Sequence, residues 1–261
     1  MKLPIYQIDA FTGSLFGGNP AAVVLLHDWL SDELLQAIAA ENNLSETAYV
    51  VPRGQHFGLR WFTPTIEIDL CGHATLASAF VLFREKIAEG DEIRFETVTS
   101  GELSVRRDGA LIQLDFPARV PQPIAGSQAL TAALGAEPSA VFQARDLLAV
   151  FDHQDQVAAL QPDFERIASL ETFAVIVSAP GDEVDFVSRF FAPKAGVPED
   201  PVTGSAHCSL IPYWSRRLGK TSLQARQISR RGGQLFCENR GARVIIGGHA
   251  VQYLRGEISV E

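Results

Sequence analysis

The chain has few of the features that mark the common functional classes. Its 261 residues include three cysteines, Cys71, Cys208 and Cys237, with no CxxC pair. An odd, scattered set of this kind excludes a disulfide framework and points to a reducing compartment. Basic residues are also in short supply, 22 Lys and Arg against 31 Asp and Glu, for a formal net charge of -9. Neutralising nucleic-acid phosphates requires a basic face, so no nucleic-acid partner is expected. The two basic clusters, "RRLGK" and "SRRGG", read as a solvated helix end and a turn. No apolar run approaches the ~18 residues of a membrane span, so no membrane partner is expected. The opening "MKLPIYQIDAF" has no long apolar stretch of the secretory kind and reads as a first strand, which makes a cytoplasmic protein the expectation. There is no GxGxxG after a strand and no GxxxxGK[ST], and the histidines show neither HxxxH nor Cys/His ligand spacing. No cofactor and no metal are therefore expected.

What the chain does have is an internal echo. "DLCGHATLASAF" (69–80) and "EDPVTGSAHCSL" (199–210) both run from an acid through a glycine and small residues into a possible helix. An offset of 132 that sets Gly72 on Gly204 also sets Ala74 on Ala206, Gly101 on Gly233, Leu103 on Leu235 and Gly109 on Gly241. Upstream the offset becomes 129 and sets "RWFTP" on "RFFAP". A register held this far beyond the founding motif indicates a diverged tandem duplication. The 46% hydrophobic content provides a core for each half.

Hydrophobic periodicity gives the two halves the same order of elements. "PIYQIDAF", "AAVVLL", "ETAYVV" and "HFGLRWFT" read as strands, and "SDELLQAIAAENN" as a helix with Ser31 as N-cap. The apolar "HATLASAFVLFREK" has the pattern of a helix buried inside a domain, and three further strands follow it. The expected division is residues 1–117, a Pro-rich linker over 118–127, and residues 128–261. The expected fold class is α+β: two pseudo-symmetric domains, each a barrel-like sheet around one apolar helix.

In each half a turn ends at a glycine that feeds the buried helix. A helix start offers unpaired N–H groups and partial positive charge, which suits a substrate carboxylate. Two such starts facing one interdomain cleft would hold it between them. The stretches "DAFTGSLFGGNPAAVV", "NLSETAYV", "RWFTPTIEIDLCGHATLASA" and "EDPVTGSAHCSL" together resemble the signatures of the PhzF-like isomerases of phenazine biosynthesis. The likeness spans essentially the whole chain.

That resemblance implies a diaminopimelate epimerase-like fold, no cofactor and a homodimer. It also implies Glu46 as general acid/base, with His73 and Asp200 as the other active-site side chains. A carboxylate shielded from water can both take a proton from carbon and return it. Gly72, Thr203, Gly204 and Ser205 would give N–H or hydroxyl groups to the substrate carboxylate, and Asn19 is a weaker candidate. Three functions compete: a cofactor-independent isomerase acting on a small carboxylate-bearing metabolite, a two-base racemase or epimerase, and a non-catalytic metabolite- or protein-binding member. A thiol racemase needs a cysteine from each half, and the counterpart of Cys71 is Thr203. Cys71 is therefore read as a small buried residue.

Overall fold

A helix without a polar face has to be surrounded. The segment GHATLASAFVLFR buries every residue except Phe80 and Arg84, and its glycine, alanines and serine let strands approach closely. The computed structural model describes residues 1–260. These cluster into two units, Met1–Asp115 with Gly247–Glu261, and Phe116–Ile246.

The first unit opens with β1 (Lys2–Ala10) and β2 (Asn19–Leu25), an antiparallel pair. Helix α1 (Asp32–Asn42) begins where Ser31 accepts a hydrogen bond from Leu34 N and ends at Asn43 in the left-handed region. β3 (Glu46–Arg53) then returns parallel to β2. β4 (His56–Phe62) lies antiparallel to β3, and the two-residue β5 (Glu67–Ile68) antiparallel to β4. The buried helix is α2 (Gly72–Arg84), which packs on β1, β2 and β3. β6 (Glu92–Glu96) runs parallel to β4, and β7 (Glu102–Asp108) and β8 (Leu111–Pro117) continue it as an antiparallel meander.

The second unit contains β9 (Gln122–Ile124), α3 (Gln128–Leu134), β10 (Ala140–Gln143) and β11 (Leu147–Val150). It continues through α4 (Gln154–Ala159), α5 (Phe164–Ser169), β12 (Val175–Pro180), β13 (Phe186–Ala192) and β14 (Val197–Asp200). The buried helix α6 (Gly204–Leu218) follows, then β15 (Ser222–Gln227), β16 (Gly233–Asn239) and β17 (Arg243–Gly248). The pairing senses repeat those of the first unit. β10–β11 is antiparallel, β11–β12 parallel, β12–β13 antiparallel, β13–β15 parallel and β15–β16 antiparallel. Helix α6 contains Pro212, whose missing N–H frees the carbonyl of Cys208, and Arg119 N donates to it at 2.8 Å.

The domain boundaries differ from those expected. The last strand, β18 (Ala250–Ser259), belongs to the first unit, where it pairs antiparallel with β1 along its length. The expected linker is not merely a linker, because its Gln122–Ile124 is the strand β9, paired antiparallel with β10. The physical reason is the same in both units. An edge strand leaves a row of backbone groups unpaired, and β9 does for β10 what β18 does for β1. The repeat fixes which strands match but not which stretch of chain covers the edge.

An arginine–glutamate bracket is also duplicated. Arg60 donates to both oxygens of Glu67 at 2.7 Å and lies over Phe62. Arg189 donates to Glu199 at 2.7 and 2.9 Å and lies over Phe191. Each planar fork ties its strand, β4 or β13, to the segment that leads into the buried helix.

Candidate active site

Glu46 is the first residue of β3, opposite Ala21 of β2. A buried strand start brings its carboxylate inward, and only 8% of the residue is exposed. His73 is the second residue of α2 and 3% exposed, with Nε2 2.9 Å from Glu46 Oε2. The distance is that of an ion pair, yet neither atom has an aligned hydrogen-bond partner. Close but misaligned contacts of this kind are common where a substrate completes the geometry. On the other side of the ring, Asn19 Nδ2 lies 3.1 Å and Cys71 Sγ 3.5 Å from Nδ1. The structure thus brings Asn19, Glu46, Gly72 and His73 together within the first unit.

Burial pushes the Cys71 thiol up to about 11, so it stays protonated at neutral pH. Burial works against a charged His73, but its neighbours Cys71 and Glu46 outweigh it and hold the imidazole well above the ordinary histidine value. Donor atoms of Glu46, Cys71 and His73 all lie within 4.8 Å of one another. However, Nε2 faces Glu46 while Nδ1 faces Cys71, so no single ring nitrogen looks toward both other donors. We assign no metal to this set.

In the second unit, Asp200 ends β14 and Thr203 precedes α6. Thr203 Oγ1 donates to Asp200 Oδ2 at 2.5 Å, and Thr203 N donates to Gln227 Oε1 at 2.8 Å. Both polar groups of Thr203 are therefore used within the protein, and Thr203 positions the loop. Gly204 and the half-exposed Ser205 lead the helix. Gln227, fully buried, also donates to the carbonyl of Asp200 at 2.7 Å. Its counterpart in the first half is the apolar Phe95, so nothing in the repeat pointed to it. The Arg–Glu bracket was visible, since both halves run from an arginine in "RWF" or "RFF" to a glutamate just before the buried helix.

Replacing Gln227 with alanine would remove the acceptor of the buried Thr203 N–H and a donor to the Asp200 carbonyl. The expected loss is about 2–4 kcal/mol of stability, read by urea unfolding. Gln227→Glu keeps an acceptor for Thr203 but sets a buried carboxylate oxygen against the Asp200 carbonyl, so it should cost at least as much.

Capping separates the buried helices from the rest. Ser31, Ser127 and Asp163 each accept a side-chain hydrogen bond from the first turn of α1, α3 and α5. Gln156 closes the start of α4 by accepting from His153 N at 2.9 Å. Neither Cys71 at α2 nor Thr203 at α6 makes a side-chain cap. The two helices whose sequences suggested anion sites are those that start without a side-chain cap.

A family model described as phenazine biosynthesis-like protein matches residues 8–256. The chain belongs to the phenazine biosynthesis-like family. A relative within it, named an uncharacterized isomerase of Pseudomonas aeruginosa, is 54% identical over 99% of each chain. The crystal structure of a PhzF-family phenazine biosynthesis protein from Enterococcus faecalis covers all of both chains, with 49% identity and a TM-score of 0.96. The fold extends further. A hydroxyproline epimerase from Agrobacterium vitis, crystallised with trans-4-hydroxy-L-proline, aligns over 98% of this chain and 92% of its own at 10% identity and a TM-score of 0.66. That likeness concerns the fold alone. Among phenazine biosynthesis-like proteins the architecture is the diaminopimelate epimerase-like one, a sheet wrapped around a buried helix in each unit.

Proposed function

We propose that this isomerase shifts a proton on a small carboxylate-bearing metabolite, with Glu46 as its only acid/base and with no cofactor. The observation that carries this reading is the buried Glu46–His73 pair beside the uncapped start of α2. The substrate carboxylate is held by the backbone N–H groups at the uncapped start of α2, that of Gly72 among them. These groups stabilise the negative charge that builds up as the neighbouring carbon loses its proton. Glu46 takes that proton and returns it at another position, while His73 steadies the Glu46 carboxylate. Asn19 suits either state of His73: its N–H donates to a neutral ring, and after a half-turn of the amide its oxygen accepts from a cationic one.

A two-base racemase would need a second base at the matching position of the other half. Register places Tyr49 opposite Arg60 and Val177 opposite Arg189. Glu46 therefore corresponds to Ala174 and Cys71 to Thr203, neither of which is a base. Alanine cannot titrate, and a threonine hydroxyl is far too weak an acid. The duplication supports one carboxylate working on one face of the substrate.

The test is incorporation of deuterium from heavy water into small carboxylic acids, followed by proton NMR. Cys71→Ser should retain most of the wild-type rate, since its thiol is a neutral neighbour of His73. A Cys71→Ser variant that is folded but has lost exchange would refute the single-carboxylate mechanism and revive a thiol base.

A further inference from the structure

We infer that a cleft at the C-terminal end of α2 is a second ligand site, which takes a small aromatic carboxylate. It lies at the opposite end of the helix from His73, ~18 Å along the axis at 1.5 Å per residue, and stands independently of the function proposed above.

The cleft measures about 370 Å³ and is formed within the first unit, by Phe80, Phe83 and Arg84 of α2, Arg107 and Ile112 of the β7–β8 hairpin, and His249 just before β18. Phe80 and Arg84 are the two residues that α2 leaves uncovered, so the otherwise enclosed helix meets solvent here. Arg84 Cζ lies 5.8 Å from the centre of the Phe80 ring, and Arg107 Cζ lies 4.5 Å from that of Phe83. Arg107 is held in place by Asp91, whose Oδ1 accepts from its Nη2 at 2.8 Å. Arg84 is exposed and, among the described residues, pairs with no carboxylate. The walls are fastened at His249: its Nδ1 donates to the carbonyl of Ala110 at 3.1 Å, and its own carbonyl accepts from Thr12 N at 3.2 Å.

An apolar, aromatic floor under cationic side chains selects an anion with an apolar body. Among the described residues no acidic side chain lines the cleft, although acids outnumber bases in the chain by 31 to 22. A ligand ring can stack on the phenylalanine faces or on a guanidinium plane, while its carboxylate takes paired, charge-assisted hydrogen bonds from the edge of Arg84. The volume falls in the range of small-molecule sites. The second half shows that the fold does not require this lining. At the offset of 132, Phe80, Phe83 and Arg107 correspond to Pro212, Ser215 and Asn239, and α6 ends its unit's buried helix without them.

The experiment titrates the full chain with benzoate, with benzyl alcohol, which has the ring without the charge, and with acetate, which has the charge without the ring. Backbone amide signals followed by NMR report where each one binds. Benzoate should shift Ala110, Ile112 and Val251, which all line the cleft, and should bind there at least about tenfold more tightly than either match, as expected for a hydrogen bond to a charged group. Arg84→Ala should bring benzoate down to the level of benzyl alcohol, and Arg84→Lys should keep part of the difference. Because Arg84 is exposed, both variants should give the wild-type spectrum away from the cleft. Absence of benzoate shifts at the cleft, equal binding of benzyl alcohol, or an Arg84→Ala variant with undiminished affinity would each overturn the inference. Benzoate shifts confined to Gly72, His73 and Ala74 would also overturn it, while supporting the carboxylate-holding start of α2.

Discussion

Glu46→Gln is expected to lower turnover by about 10²–10⁴-fold, the usual contribution of a general acid/base, with little change in unfolding temperature. Glutamine keeps the shape and the end-of-strand position of Glu46 but has no proton to take and return. The substitution also has a signature independent of substrate. Cys71 and Glu46 together hold His73 well above the ordinary histidine range, so Glu46→Gln, which removes one of the two, should lower the His73 titration, followed by NMR of the imidazole protons. A folded Glu46→Gln protein that exchanges substrate hydrogen at the wild-type rate would exclude Glu46 as the base. His73→Ala and Asp200→Ala should each slow exchange less completely, because water can partly replace an orienting group.

The second large effect is expected on stability in acid, and it comes from His207. This residue lies in the first turn of α6, fully buried, with Nδ1 2.8 Å from the carbonyl of Thr203 and the ring near Phe186. Burial depresses its pKa from 6.5 to about 4, against the opposing pull of the Thr203 carbonyl. Between those values the unfolded chain binds a proton that the folded chain refuses. Stability is therefore fully present above about pH 6.5 and lost as pH falls toward 4, by about 3 kcal/mol. His73 has the opposite sign. Its folded value is raised, so its contribution is complete below the unfolded value and fades as pH rises through the folded one. Urea unfolding across this range should give a dome. His207→Gln, which retains a donor for Thr203, should flatten the acid limb, and His73→Gln should flatten the alkaline limb. An acid limb equally steep in His207→Gln would mean that another group controls it.

Most of the architecture was legible because it follows from periodicity and repetition. The helix Gly72–Arg84 was readable from an apolar run with no polar face, and α1 from its Ser31 cap. What was not legible depends on contacts between distant segments. Strand β18 is the counterpart of β9, and the repeat did not show that it would cover the edge of β1 at the far end of the chain. In the site, Glu46 and His73 came from a family likeness that no spacing could supply, since they are 27 positions apart in the chain and meet only when β3 and α2 pack. Gln227 left no mark because an amide on a strand looks the same whether it faces water or clamps a buried loop. His207 was noted only as a histidine without ligand spacing, and its interest is the proton it declines.

The open starts of α2 and α6 imply a trade between durability and work. A serine, aspartate or threonine whose oxygen accepts from the first turn typically strengthens a helix by about 1 kcal/mol, and this chain uses such residues at α1, α3 and α5. At α2 the preceding side chain is a thiol, and at α6 the threonine hydroxyl is directed to Asp200 instead. On the proposed function, the free enzyme is held below the robustness its sequence could achieve, and the ligand takes the part of the cap. A substitution that supplied such a cap from within the protein would make it sturdier and, on the proposed function, would close the place offered to the substrate carboxylate.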